Sequence, residues 1–142
     1  MESSTAGSKK ATTVRGACLC GAVQFEVALP TRFCVHCHCS MCQRNHGAAF
    51  VTWFAAPKSQ FRVIDGESAL TRYQSSDKGS RSFCSRCGSS LFCENERDAD
   101  IIDITLASMS APIDIAPQAH IYFDTHADWV NVVDELPKMR GS

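Results

Sequence analysis

No stretch of the sequence stays apolar for the roughly 18 residues that a helical membrane span needs. A chain crossing a bilayer by helices is therefore not expected. A basic block or stripe is also missing. The 142 residues carry a formal net charge of −1, with both signs mixed along the chain, so nucleic acid is a poor partner. Residues Met1 to Thr13 lack an apolar signal-peptide core. This Ser/Thr/Gly/Lys-rich stretch is expected to be a disordered tail on a cytoplasmic protein. No internal repeat or linker divides the remainder. One domain is expected over residues 14–135, followed by a short tail at 136–142.

Cysteine, by contrast, is abundant, with nine in the chain. In a reducing compartment clustered cysteines point to metal or redox chemistry, and an odd count does not fit a fully paired disulfide framework. Around them run short segments of strand character. Val23, Phe25 and Val27 alternate with Gln24 and Glu26, the period of a half-buried strand. Similar runs cover residues 50–54, 61–64, 70–73, 90–93, 101–106 and 120–123, with breaks at Pro30, Pro57, Gly66, Gly79 and Pro112 to Pro117. One short helix is expected, starting near Ser40 as N-cap and stopping at Gly47. The expected fold class is all-β with a small helical insert.

The cysteines form two constellations. In the first, Cys18-x-Cys20-Gly21 faces a distant Cys84-x-x-Cys87-Gly88. Each glycine allows the sharp turn, often at φ > 0, that aims backbone N–H groups at thiolates. Four sulfurs complete a tetrahedral Zn²⁺ and leave no open place, so this zinc is expected to be structural. A redox Cys-x-x-Cys, an iron–sulfur site and plain buried thiols are the competing readings. The second constellation is Cys37-His38-Cys39-Ser40-Met41-Cys42. On an extended strand Cys37 and Cys39 share a face, and Cys42 follows in the first helical turn, where N–H groups favour a thiolate. Three thiolates then hold a second zinc, and its fourth position is either open or closed by Cys34 or a histidine. Strand alternation turns Cys34 away, with His36 and His38. Cys93 reads as a buried thiol, and Trp53, Trp129 and the phenylalanines read as core.

Taken in order, Gly16-x-Cys18-x-Cys20-Gly21, Cys37-His38-Cys39-x-x-Cys42 and Arg81-x-Phe83-Cys84-x-x-Cys87-Gly88 resemble the family of glutathione-dependent formaldehyde-activating enzymes and centromere protein V. The likeness continues through Gly47-Ala48, Pro117-x-x-His120-Ile121 and Asp128-Trp129. It implies a β-tent fold of small antiparallel sheets, with structural zinc on Cys18, Cys20, Cys84 and Cys87. A second zinc, linked to activity, would sit on Cys37, Cys39 and Cys42. The implied chemistry is that of a carbon–sulfur lyase run in reverse, joining formaldehyde to glutathione. A non-catalytic zinc module for protein binding is the alternative, since fold does not fix function. Residues 104–108 depart from the family's Gly-Thr-Leu-Asp segment, which bears on substrate more than on fold. A glutathione-like thiol is the expected partner and needs a cation for its carboxylates. Arg44 is the nearest in sequence, Arg81 and Arg86 flank the other knuckle, and His120 is a candidate catalytic residue. His46, at the helix end, is explained by a favourable dipole contact.

Overall fold

The computed structural model describes residues 12–141. The expected tail at residues 1–13 therefore lies almost wholly outside the described residues. Ten strands and one short α-helix follow one another: β1 (Thr13–Ala17), β2 (Gln24–Ala28), β3 (Phe33–Cys37), α1 (Ser40–His46), β4 (Val51–Pro57) and β5 (Phe61–Asp65). They continue as β6 (Leu70–Gln74), β7 (Gly79–Cys84), β8 (Ser90–Asn95), β9 (Ile101–Thr105) and β10 (Ala119–Ile121). A three-stranded sheet has the order β1-β2-β5, and a seven-stranded sheet has the order β10-β3-β4-β9-β8-β7-β6. All pairings are antiparallel except β10 with β3, which is parallel. The all-β expectation with a helical insert holds, and that parallel edge pair is an addition to it.

The core lies between the sheets. Val23, Phe25 and Val27 face Phe54, Leu91, Phe92 and Ile104, all buried. Alternation along β2 produces this, because its odd-numbered residues point inward while Gln24 and Glu26 stay half-buried. Phe92 packs edge-on against Phe25 and Phe61, each at 4.9 Å between ring centres. Gly16 matters here for close approach, since a Cβ there would collide with the Phe25 ring. Each such buried side chain contributes about 1.5–3 kcal/mol.

The seven-stranded sheet therefore has one face on the core and another free to form a site. Cys34, at 0% exposure, points into the core, as alternation along β3 requires. Cys37 points the other way. On the free face, register aligns Tyr73, Arg81, Cys93 and Asp103 in one row across β6 to β9.

Some expectations need correction. The N-cap of α1 is Cys39, not Ser40: its Sγ accepts the Cys42 N–H at 3.3 Å. Gly47 does close the helix in the left-handed region, at φ 60°. Trp129 is 74% exposed and is not core, and Phe33 is also exposed. The segment expected as a C-terminal tail runs beside β10. The His120 N–H donates to the Pro137 carbonyl, and the Met139 N–H to the His120 carbonyl, each at 2.8 Å.

Candidate metal centres and pocket

Both cysteine constellations assemble as the spacing implied. The sulfurs of Cys18, Cys20, Cys84 and Cys87 all lie within 4.8 Å of one another. Cys18 and Cys84 come within 3.7 and 3.9 Å of Cys20. Tetrahedral ligands at about 2.3 Å from a metal would stand roughly 3.8 Å apart, whereas a disulfide needs about 2.05 Å. All nine cysteines are free thiols. Gly21 and Gly88, both at φ 81°, carry the chain round the two knuckles. The Val23 N–H donates to Cys18 Sγ at 3.2 Å and the Arg86 N–H to Cys84 Sγ at 3.4 Å. Hydrogen bonding from the Ser89 hydroxyl, then the Ser89 backbone, holds the Cys87 thiol down to about 5. These donors stabilise thiolates, the metal-binding form. The four sulfurs bring together the loop after β1 and the turn after β7, so an ion held by them would clip the small sheet to the large one.

The second group is Cys37, Cys39 and Cys42, again with sulfurs within 4.8 Å of one another. Cys37 ends β3, Cys39 caps α1, and Cys42 is buried in its first turn. Among themselves the thiols share charge unequally. Hydrogen bonds from Cys37, then Cys42, hold Cys39 down to about 2, while contact with Cys39 first, then Cys42, pushes Cys37 up. Trp53 Nε1 and Arg81 Nη2 donate to Cys42 Sγ at 3.4 and 3.6 Å. Hydrogen bonding with Cys37, then these two donors, favours a Cys42 thiolate, but contact with Cys39 and burial outweigh them and push the thiol up. The donor set fits a metal ion. Among the described residues no fourth His, Cys, Asp or Glu joins it at that spacing.

The space beside these three sulfurs is a pocket of about 380 Å³ whose walls include Trp53, Arg81, Cys93 and Asp103. A larger hollow of about 590 Å³ runs past Cys18 and His46. Its walls include no thiol of the three-cysteine group, so the smaller one is the candidate site. Arg81 is buried, and its Nε and Nη1 have no hydrogen-bond partner. A buried guanidinium with two unmatched N–H donors is costly unless an anion meets it. The Arg81 head also lies over the Trp53 ring, 5.9 Å from its centre. Burial, then the charge of Asp98, pushes the Asp103 carboxyl up to about 6 against the pull of Arg81. Burial also pushes Cys93 up to about 11. Cys93 is half-buried and borders the pocket, so it is more open than the sequence suggested.

Other expected residues lie elsewhere. Cys34 is in the core, and burial pushes it up to about 11. Arg44 is exposed on α1 and is not in the pocket wall. His120 sits on the opposite side of β3, packed against His36 and His38. His38 is buried, and burial first, then His120, holds it down to about 4. Burial, then Arg81, likewise holds His46 down to about 4, so a charged dipole contact is not its role. Asp103 was missed by sequence reasoning. Its signal is a lone acid inside the apolar run Ile101–Ile104, legible only once the strand is paired.

A family model described as glutathione-dependent formaldehyde-activating enzyme matches residues 13–125. The chain belongs to that family. It is 26% identical over 126 residues to a Halomonas elongata protein whose name provisionally gives it the same activity; the match covers 84% of this chain and 80% of the relative. A crystal structure of a Rhodobacter sphaeroides protein superposes with a TM-score of 0.60 at 30% identity, covering 70% of this chain and 91% of that one.

Proposed function

We propose that this family member is a cytoplasmic zinc enzyme of the carbon–sulfur lyase type, joining formaldehyde to the thiol of glutathione or breaking that adduct. The observation that carries this reading is the pairing of a three-sulfur donor set with a pocket that also holds a buried, unmatched guanidinium. Cys18, Cys20, Cys84 and Cys87 would hold a structural zinc, and Cys37, Cys39 and Cys42 a second one facing the pocket. Zinc bound there would favour the thiolate form of a substrate thiol.

The chain's own residues supply the rest. Arg81 lines the pocket with Nη2 on Cys42 Sγ and its Nε and Nη1 buried and unmatched, so its charge would attract a substrate carboxylate and hold the peptide thiol near the cluster. Arg81 takes this part in preference to Arg44, and His120 acts away from the pocket. Trp53 closes one wall. Adding a thiol to formaldehyde forms a carbon–sulfur bond, and the thiol proton must end on the former carbonyl oxygen. Asp103, with a carboxyl near 6, is suited to take up that proton and return it, because a general acid–base works best near the operating pH.

The test is glutathione-dependent formaldehyde consumption by wild type, Cys42→Ser and Arg81→Met. Turnover by wild type, loss in Cys42→Ser, and a raised KM for glutathione in Arg81→Met support the assignment. Wild type that holds both metals yet neither binds nor turns over a thiol adduct would replace it with a zinc-binding interaction module.

A further inference from the structure

Three donors outside both cysteine groups converge behind β3. The parallel pairing of β10 with β3 sets His120 directly beside His36. Their rings are tilted by 30° with centres 4.8 Å apart. The returning segment beyond β10 brings Asp134 to the same place, with both carboxylate oxygens 3.0 Å from His120 Nε2. One ligand atom from each of His36, His120 and Asp134 lies within 4.8 Å of the other two.

Each ring is also held by its other nitrogen. His36 Nδ1 meets Thr52 Oγ1 at 2.7 Å, Thr52 being its register partner on β4. With Nδ1 donating to that hydroxyl, the Nε2 lone pair of His36 is free. His120 Nδ1 meets His38 Nε2 at 2.8 Å, and His38 is itself fixed because its carbonyl accepts from Gln43 Nε2 at 2.7 Å. Imidazoles tied at one nitrogen and converging at the other are arranged as metal ligands are, with the outer hydrogen bond setting ring orientation and tautomer. An ion pair alone explains His120 and Asp134, but it gives no reason for the turned and tethered His36.

We propose that His36, His120 and Asp134 form a third metal site, taking a divalent first-row cation through two imidazoles and a carboxylate. Such a donor set suits zinc, iron, nickel or copper rather than calcium or magnesium. Asp134 has 44% of its side chain exposed, so the site opens to solvent and the remaining positions are for water. The cation would bind the segment after β10 to β3, on the reverse side of the strand that carries Cys37.

The experiment reconstitutes the stripped full-length protein with Zn²⁺ and counts metal per chain by mass spectrometry after desalting. A parallel sample is loaded with Co²⁺ and followed by its visible spectrum. Wild type is expected to bind one equivalent more than Asp134→Asn and than His36→Gln. In Co²⁺ samples those variants should lose only weak d–d absorption and keep the intense thiolate-to-cobalt bands. Those bands also report that the variants are folded. Equal metal content in wild type and Asp134→Asn, with the thiolate bands intact, overturns the proposal. Absent thiolate bands with the extra equivalent still present would instead count against the cysteine sites alone.

Discussion

Replacing Asp103 by asparagine isolates the electrostatics of the pocket row. Asp103 shares that row with Cys93 and Arg81, and its carboxyl stands near 6 against an ordinary 3.8. A shift of about two pH units corresponds to about 3 kcal/mol. Solvent reaches the group through the pocket mouth, so about 1–3 kcal/mol is the expected range. The folded pKa is raised, so the folded state keeps the proton longer than the unfolded chain does. That contribution is fully present below the ordinary value near 4 and is lost as pH rises through about 6. Asn cannot titrate. The difference in unfolding free energy between wild type and Asp103→Asn should therefore change by about 1–3 kcal/mol between pH 4 and 6, with the variant relatively more stable at pH 7. Urea unfolding of both proteins at a series of pH values measures it. Protonation of the cysteine ligands weakens both proteins together, so the difference is the quantity to read. If Asp103 also moves the proton, the variant loses roughly 10²–10⁴-fold in turnover and the limb near pH 6 in its rate profile. A pH-independent stability difference would refute the electrostatic reasoning.

Cys34→Ser should leave zinc content unchanged while lowering stability by about 1–3 kcal/mol, because a hydroxyl replaces a thiol in the core; loss of a zinc equivalent would restore Cys34 as a ligand. Gly66→Ala should cost at least about 2 kcal/mol by thermal or urea unfolding, since Gly66 has φ 85° and an added Cβ would strike the Ala22 carbonyl. A neutral result there would mean the knuckle loop moves freely against the β5–β6 turn.

Local chemistry made much of this protein legible. Glycine after each cysteine pair announced a left-handed turn, and Gly21 and Gly88 both adopt it. Period-2 alternation correctly separated Cys34 from Cys37, because neighbours on a strand must face opposite ways. What stayed hidden depends on register between distant strands. Strand β7 reads Gly-Ser-Arg-Ser-Phe-Cys and carries no apolar alternation. It is nevertheless an interior strand, because its free face buries Arg81 rather than a hydrophobe. Asp134 joins two histidines only because the chain returns beside β10, which nothing in its local sequence announces. Trp129 read as core on size alone and lies exposed, outside both packed clusters. The Cys39 cap was missed because a thiol is a weak capping acceptor, and Ser40 beside it is the commoner choice.

In the proposed division of labour, four cysteines hold the sheets together and three serve the pocket. Cys20 and Cys84 lie 64 residues apart in sequence, and closing a loop of that length is worth about 4 kcal/mol by chain entropy, a large share of a small domain's stability. The direct measurement is zinc per chain, far-UV circular dichroism and glutathione-dependent formaldehyde turnover on Cys42→Ser and Cys84→Ser together. Cys42→Ser is expected to lose one zinc and its turnover while keeping its fold, and Cys84→Ser to lose its fold. An unfolded Cys42→Ser, or a folded Cys84→Ser with full turnover, would contradict that division.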